Sequence, residues 1–395
     1  MMTVAVDHAP SAVVANTFPY DQWHDRYQEY YQTGLKQYLH SQGVDLRFLS
    51  RTHFPTFLKV LRRVRDASTL RQVLRSHSGT MGEYLDWVAR HIGAQHTPSA
   101  SLVGEYLFWL DALRSAKVCI DTHDSGTINS PSLLEGCDIY LKTNYWKGYD
   151  YDPRVRPFYV CNPVVLPHID ELKAMRRQPP VFDLCFLVRV WGGQTGMEGI
   201  EHCMRLLEAV AKVRAKKFLL AELLIGDTDA QARRLGMSGI PTTTRRFGLK
   251  QLWQVTAQSR LNVTRLGNHH CMSWRMTDLL ALGACTVLDQ HPKTLWPAPF
   301  VAHQHYYSLN ATTSNEEPVA PDSYYAMIPE MVEELLAQRE LQEDIRRHSA
   351  EYFDHYLRPI RIGAQIHDLL RGSIPEVGDE TSTLTSRGSK HLVIS

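Results

Sequence analysis

Strand-like and helix-like segments alternate through the second half of the chain, and this alternation limits the fold more than any other feature. Three apolar runs, FDLCFLVRV, KFLLAELLIG and RLNVTRL, are separated by helical patterns such as MEGIEHCMRLLEAVAKVRA. A strand that is apolar along its whole length is typical of a sheet covered on both faces. The alternation therefore predicts an α/β fold with a parallel, doubly wound sheet and helices on both sides.

The segment HHCMSWRMTDLLALGACTVLD, residues 269–289, contains a charge in an unfavourable place. Ser273 is typical of a helix N-cap, the apolar spacing after it predicts a helix, and Gly283 ends that helix before a buried strand. Arg275 then lies in the first turn, where the helix dipole repels a cation unless an anion lies nearby. A bound phosphate would remove the conflict. The alternative is an arginine that extends into water or pairs with Asp278 one turn later.

The first half of the chain also alternates, but less regularly. An aromatic helical pattern over residues 20–42 leads into the short strand VDLRFL, and AKVCID is a clear strand that runs into a polar loop. We also expect helices over residues 55–92 and from Val103 to Ser115. This half is therefore predicted to form a second α/β domain.

The chain has 395 residues, which is long enough for two domains. We expect an N-terminal domain over residues 1–170 and a C-terminal domain over residues 171–345. Residues 346–371 are predicted to form a helix that packs back across the cleft between the domains. The polar remainder, residues 372–395, is predicted to be a disordered tail.

Charge and cysteine content argue against several functional classes. The formal net charge is +1, which gives no general reason to expect nucleic acid or an anionic membrane as a partner. A basic run over residues 58–75 is interpreted as a solvated helix face, with a phosphate-bearing or membrane-surface acceptor as the alternative. The seven cysteines are scattered, and no apolar run reaches the length of about 20 residues that spans a bilayer. Without a secretory leader, these features predict a cytoplasmic protein with reduced thiols.

The segment SRLNVTRLGNHHCMSWRMTDLLALGACTVLDQ resembles the donor-binding segment of GT-B glycosyltransferases, especially the exostosin-like and spore-maturation-protein-like groups. In those groups a serine, an arginine, an acidic residue and a small residue with a glycine precede a buried strand. The matching residues here are Ser273, Arg275, Asp278, Ala281 and Gly283. The resemblance covers residues 182–356. It implies two Rossmann-like domains facing a central cleft, the first on the acceptor side and the second on the donor side, with C-terminal helices.

The resemblance also implies roles in donor binding. Arg275 would hold the diphosphate of a nucleotide sugar, because its planar guanidinium matches phosphate oxygens, and Asp278 would accept hydrogen bonds from the ribose hydroxyls. Other residues would contact the phosphates, the nucleobase or the sugar: Ser273, Arg189, Gly192, Gly193, Arg246, Gly248, His269 and His270. The alternative for the two glycines is an ordinary strand-to-helix turn, and for the two histidines a polar turn.

One departure from the family pattern bears on stereochemistry. Retaining GT-B enzymes of the E-x7-E type carry a glutamate eight residues before the ribose-binding acid, and His270 stands there. We therefore expect an inverting enzyme, which needs a base from the domain across the cleft. The segment CIDTHDSG places Asp124, with His123 as the second candidate, at the end of a strand. The alternative is that Asp121 and its neighbours only start a turn.

The sequence predicts no metal site and no cofactor apart from the nucleotide sugar as co-substrate. The histidines and the cysteine near the donor segment lack the spacing of a structural zinc site: His269, His270, Cys271, His303 and His305. The chain also lacks a P-loop, a G-x-G-x-x-G fingerprint and an acidic pair placed for a nucleotide-bound cation. Positive side chains are therefore expected to balance the charge of the leaving diphosphate.

These observations predict a metal-independent, inverting glycosyltransferase that uses a nucleotide-sugar donor. The acceptor is open and is a glycan, a small molecule, a protein or a nucleobase. Two alternatives remain: a nucleotide-sugar epimerase of GT-B-like fold, and a non-catalytic module that binds nucleotide sugars.

Overall fold

The structure is a computed structural model that describes residues 12–17, 28–43, 45–50, 103–109, 115–128, 131–190, 196–223, 226–267, 270–313, 317 and 319–373. Several predictions lie outside these residues: the helix over 55–92 with its basic run, Gly192, Gly193, His269, and the tail beyond Ser373.

The first half forms a six-stranded sheet in the order β2-β1-β3-β4-β5-β7. Its strands are β1 (Ala12–Thr17), β2 (Asp45–Ser50), β3 (Val103–Trp109), β4 (Ser115–Asp121), β5 (Ile139–Lys142) and β7 (Val155–Pro157), and the short β6 (Tyr145–Trp146) lies outside this sheet. The described α-helices of this half are α1 (Glu29–Ser41), α2 (Pro131–Glu135) and α3 (Ile169–Met175), and a 3-10 helix covers Pro163–His168. The predicted strands VDLRFL and AKVCID are confirmed as β2 and β4.

One prediction in this half is wrong. The segment from Val103 to Ser115, expected to be helical, contains strand β3, which pairs antiparallel with β1 on one side and β4 on the other. Tyr106 and Phe108, which both lie in this strand, are fully buried. Aromatic residues favour strands when neighbouring strands cover them, and this long-range pairing decided against the local helical pattern. The first sheet is therefore mixed, not wholly parallel.

The second half forms a six-stranded parallel sheet in the order β10-β9-β8-β11-β12-β14. Its strands are β8 (Phe182–Val190), β9 (Lys217–Leu223), β10 (Thr242–Thr243), β11 (Ser259–Thr264), β12 (Thr286–Leu288) and β14 (Tyr307–Ser308), with β13 (Thr294–Leu295) outside the sheet. In chain order this is the 3-2-1-4-5-6 arrangement of a Rossmann fold. The predicted α/β fold class, with one sheet in each half, is confirmed.

Helices cover the second sheet as the alternation predicted. They are α4 (Gly196–Ala211), α5 (Thr228–Met237), α6 (Leu249–Ala257) and α7 (Arg275–Ala281). Gly283 follows α7 with φ of 58°, a left-handed conformation that glycine adopts easily and that ends helices. The chain then continues through α8 (Asp322–Ala337), α9 (Arg339–Tyr352), a π-helical turn at Phe353–Leu357 and α10 (Pro359–Ser373).

The last helix, α10, packs against helix α1 of the first half. The backbones of α1 and α10 meet at Gly34 and Gly363, where a Cβ on either residue would collide with backbone of the other helix. In addition, the Tyr30 hydroxyl donates to the carbonyl oxygen of Leu357 at 2.6 Å. The domain boundaries inferred from the sequence stay predictions. No helix among the described residues is long and apolar enough to cross a bilayer.

The two halves share buried contacts. Strand β6 pairs antiparallel with β13, with Trp146 opposite Thr294. The backbone of Ala298 also joins two aromatic side chains from different parts of the chain: its N–H donates to the Tyr159 hydroxyl at 3.1 Å, and its carbonyl accepts from the Tyr352 hydroxyl at 2.7 Å. These contacts bring loops of both halves to one place.

Candidate active site

The order of the second sheet locates its binding crevice. In an open parallel sheet, ligands bind beyond the carboxyl ends of the strands, at the point where the strand order reverses. Here the order reverses between β8 and β11. The loop that follows β11 leads through His270 to α7, so it lies at the position where the fold favours a ligand.

Arg275 is the first residue of α7, as the sequence predicted. The N-cap is Trp274, one residue later than expected, although the Ser273 hydroxyl still accepts from the Arg275 backbone N–H at 3.3 Å. The Arg275 guanidinium donates to the carbonyl oxygen of Leu187 at 2.7 Å and to the Thr256 hydroxyl at 3.4 Å. Burial lowers the pKa of Arg275. The alternative in which this side chain extends freely into water is therefore wrong, yet these bonds use two of its five N–H donors.

Asp278 contacts both halves of the molecule. Its side chain is 4% exposed, and its two oxygens accept from the Asn162 amide at 2.8 Å and the Trp253 indole N–H at 2.9 Å. Burial raises the pKa of Asp278 in spite of these bonds. Asp278 is thus an acceptor between the halves, and the alternative in which it forms a surface pair with Arg275 is wrong. Its contact with a ribose stays a prediction.

The end of β9 is fixed to the turn predicted to hold the nucleobase. Glu222 is buried, accepts from the Phe247 backbone N–H at 2.6 Å and pairs with the exposed Arg189 at 3.3 Å. Arg246 is exposed, and Gly248 caps α6 with an extended backbone. Sequence reasoning missed Glu222, although an acid near the end of an apolar strand is a usable signal.

His270 is strained and buried. Its φ is 59°, in the left-handed region, and it is 7% exposed. Its Nε2 has no hydrogen-bond partner among the described residues. Burial and then the charge of Lys293 lower the pKa of His270, so the imidazole is neutral near pH 7. A non-glycine residue at positive φ with an unpaired buried nitrogen is typical of a functional position.

Asp289, at the end of β12, holds the loop that carries His270. One carboxylate oxygen accepts from the Leu266 backbone N–H at 3.0 Å, and the other lies 3.1 Å from His202 Nε2. The other ring nitrogen of His202 lies 2.5 Å from the Tyr325 hydroxyl. His202 was not singled out from the sequence, because a histidine within an amphipathic helix carries no distinct signal. Within the described part of the chain, no group of three or more His, Cys, Asp or Glu residues is arranged to hold a metal.

The loop after β4 contains the best-organised polar group of the first half. Asp121 is fully buried, and one oxygen accepts from the backbone N–H of His123 at 2.9 Å and lies 2.7 Å from its Nδ1. The other oxygen accepts from the Tyr140 hydroxyl at 2.7 Å and from Lys142 Nζ at 3.0 Å. Asp121 therefore starts a turn, as the alternative proposed, and also orients the imidazole.

The ionised carboxylate of Asp121 determines which ring nitrogen of His123 faces it as a donor. Burial alone would raise the pKa of Asp121, but the hydrogen bond from His123 and the charge of Lys142 outweigh it and hold the pKa below its ordinary value. Burial also lowers the pKa of Lys142, against the effect of Asp121. Because an ionised carboxylate only accepts, His123 Nδ1 carries a proton, and in the neutral imidazole the lone pair is then on Nε2. The His123 side chain is 26% exposed.

The sequence contained signals for this group that were not used. Asp121 and Lys142 end two neighbouring parallel strands and stand opposite each other in register. A carboxylate and an amine at matched strand ends predict a buried pair, but only once the pairing of β4 with β5 is known. The separation of Asp121 and His123 by one residue was also readable.

The loops from the two halves meet at Asn144. Its amide donates to the carbonyl oxygen of His123 at 3.0 Å, and its side-chain oxygen accepts from the Met272 backbone N–H at 3.2 Å. Asp124 is half-buried in the loop that carries His123. The pKa of Cys271 is raised, first by the burial of its thiol and then by the charge of Asp124. The predicted base residues and the loop of His270 therefore lie on either side of one junction.

Comparisons with known proteins give structural neighbours only. No family model and no curated protein matches the sequence. Among solved structures, a glycosyltransferase from Rickettsia africae ESF-5 is similar with a TM-score of 0.44 and 9% identity, covering 87% of this chain and 94% of that one. Anabaena HepE in complex with UDP and glucose gives a TM-score of 0.43 and 9% identity, covering 91% and 98%. The C-terminal domain of a group 1 family glycosyl transferase, LpcC from Francisella tularensis, gives 0.32 and 10%, covering 48% and 92%.

Proposed function

We propose that this protein transfers a sugar from a nucleotide sugar to an acceptor hydroxyl, with inversion and with His123 as the base. The observation that carries the proposal is the imidazole of His123, oriented by the buried Asp121 at the junction with the loop of His270. An oriented imidazole beside a binding crevice is the arrangement that general-base catalysis requires.

The geometry favours His123 over Asp124 as the base. His123 Nε2 takes the proton of the acceptor hydroxyl, the acceptor oxygen bonds to the anomeric carbon, and the bond from that carbon to the diphosphate breaks. Asp121 orients the imidazole and stabilises the imidazolium that forms during this step, and Lys142 holds Asp121 in place through the other carboxylate oxygen. The sequence put Asp124 first and His123 second as candidate bases, and this proposal reverses that order.

The donor site of this proposal lies in the second half. Arg275 and Arg189 balance the charge of the leaving diphosphate, with Ser273 at the start of α7. Arg246 and Gly248 flank the nucleobase, and the unpaired Nε2 of His270 bonds to a hydroxyl of the transferred sugar. The reaction needs no metal in this scheme, and a cytoplasmic location stays part of the proposal.

A nucleotide-release assay separates this function from its alternatives. The protein is incubated with UDP- and GDP-sugars, with and without mixtures of glycosides, phenols and peptides. Acceptor-dependent release of nucleoside diphosphate supports transfer. Interconversion of the sugar without release supports an epimerase, and binding of UDP or GDP with neither reaction supports a non-catalytic module.

A further inference from the structure

Four aromatic side chains form one surface beside the loop of His123. They belong to residues 145–151, YWKGYDY, which we call the aromatic loop. The rings of Tyr145 and Tyr151 lie 4.2 Å apart, those of Tyr149 and Tyr151 stack at 5.7 Å, and Trp146 meets Tyr149 edge-on at 5.4 Å. Tyr149 is 45% exposed, whereas its three neighbours are buried or half-buried. The cluster therefore supports one ring that faces solvent.

The aromatic loop is fixed to the loop of His123. The Tyr151 hydroxyl donates to the carbonyl oxygen of Gly126 at 2.6 Å and accepts from the Trp146 backbone N–H at 3.1 Å. The Trp146 ring packs on Gly126 so closely that a Cβ there would collide with it. Asn144, just before the aromatic loop, donates to the His123 carbonyl oxygen. The aromatic loop is thus fixed to the loop that carries the candidate base.

The surroundings of Tyr149 combine a flat apolar face with polar groups. Lys147 and Asp150 are exposed on either side of it in sequence, and the Lys293 ammonium lies 5.8 Å from the centre of the Trp146 ring. Trp146 is itself buried, and its indole N–H has no acceptor among the described residues. An aromatic ring exposed to water leaves its apolar faces unburied. An exposed ring in contact with a tryptophan whose indole N–H is unpaired, and near a lysine ammonium, therefore indicates a ligand surface.

This combination matches the chemistry of a sugar ring. One face of a pyranose presents C–H groups, which are weakly positive and pack against the negative face of an aromatic ring. The hydroxyls at its rim need donors and acceptors, and the exposed Lys147 and Asp150 are the polar residues nearest to Tyr149 in sequence. A flat phenolic acceptor is held better in an enclosed apolar pocket, whereas Tyr149 is 45% exposed.

We infer that the acceptor is a carbohydrate whose ring stacks on Tyr149 while one of its hydroxyls reaches His123. This inference rests on the proposed function and names its acceptor class.

Ligand-observed saturation-transfer NMR tests the inference directly, without requiring turnover. The probes are the methyl glycosides of glucose, galactose, mannose and N-acetylglucosamine, with p-nitrophenol as the aromatic competitor. We expect at least one glycoside to receive saturation at its ring C–H protons. Tyr149→Ala should weaken that binding at least tenfold and Tyr149→Trp should retain it, since stacking needs an aromatic face.

Tyr356→Ala is the matched control, because Tyr356 is 39% exposed in the C-terminal π-helical turn, outside the aromatic loop. Absence of binding by every glycoside, or equal binding by wild type and Tyr149→Ala, overturns the inference. Tyr149-dependent binding of p-nitrophenol alone overturns it too. Calorimetric titration of UDP and GDP runs in parallel: nucleotide binding without glycoside binding leaves the proposed function intact, whereas failure to bind nucleotide counts against the function itself.

Discussion

The two sides of the candidate site are built differently. On the first-half side, Tyr140, Lys142 and His123 all bond to Asp121, and the group ends in the half-buried imidazole of His123. On the second-half side, Asp278 is already occupied by protein donors, and Arg275 is partly occupied. The first side is organised around a reactive atom, and the second side around contacts that also hold the fold together. Substitutions on the first side should therefore affect turnover without changing nucleotide affinity, and those on the second should change nucleotide affinity.

The largest effect is expected for His123→Ala. Loss of the base should lower kcat by about 1000-fold, within the range for general acid–base catalysis, while the Kd for UDP or GDP stays within about twofold. Steady-state nucleotide release and calorimetric titration measure the two quantities. His355→Ala, an exposed histidine in the C-terminal segment, is the control and should change neither.

Asp124→Asn sharpens the same comparison. We expect it to lower kcat less than tenfold, because His123 and not Asp124 is oriented by the buried carboxylate. A 100-fold loss in Asp124→Asn together with near wild-type turnover in His123→Ala would reverse the two roles. Near wild-type turnover in both variants would remove this loop from the mechanism and support a retaining reaction.

Asp121→Asn should produce the next largest effect. Turnover should fall about 100-fold because the imidazole loses its oriented acceptor. The variant should also be destabilised by about 3 kcal/mol at pH 7, since the buried Lys142 ammonium is left without its counter-charge. Urea unfolding measures this difference, and Glu135→Gln, at an exposed acid of the first half, is the control.

The pH dependence of that difference follows from the lowered pKa of Asp121. A carboxylate whose pKa is lower in the folded protein adds stability above the unfolded pKa of about 4, and this stability is lost as the pH falls through the lower folded value. The free energies of unfolding of wild type and Asp121→Asn should therefore converge in acid. A difference that stays constant from pH 7 to pH 3 would show that the carboxylate charge is not what stabilises this group.

The contrast between the halves also explains what the sequence could predict. The apolar strand FDLCFLVRV was predicted correctly because a strand covered on both faces has a strong local pattern. Strand β3 was not, because its antiparallel neighbours are distant in sequence. In the site, His123 was found from its place after a strand, whereas Lys142 depends on the register of β5 and Glu222 on contact with a remote turn. Groups defined by pairing between strands stay hidden until the pairing is known.

Arg275→Ala tests the second side of the site. If the guanidinium holds a diphosphate, affinity for UDP or GDP should fall about 30-fold, or about 2 kcal/mol, the value of a charge-assisted hydrogen bond. A cation in the first turn of a helix does not by itself stabilise the fold, but the bonds to Leu187 and Thr256 give an expected loss of about 1 kcal/mol of stability. Calorimetry and thermal melts of the unliganded protein measure both, with Arg177→Ala as a surface control. Loss of stability with unchanged nucleotide affinity would make Arg275 a purely structural residue.

The smallest effect is expected from chelation, and it bears on how the second side handles charge. If Arg275 and Arg189 balance the leaving diphosphate, turnover should be unchanged, within about twofold, after dialysis against EDTA. Three described acids near the junction are already bonded within the protein: Asp121 to Lys142, Asp289 to His202, and Asp278 to Trp253. A divalent cation bound to a nucleotide needs free oxygen ligands, which these carboxylates do not offer without breaking those contacts. Loss of turnover in EDTA that Mn²⁺ or Mg²⁺ restores would mean that a cation, and not the two arginines, neutralises the leaving group.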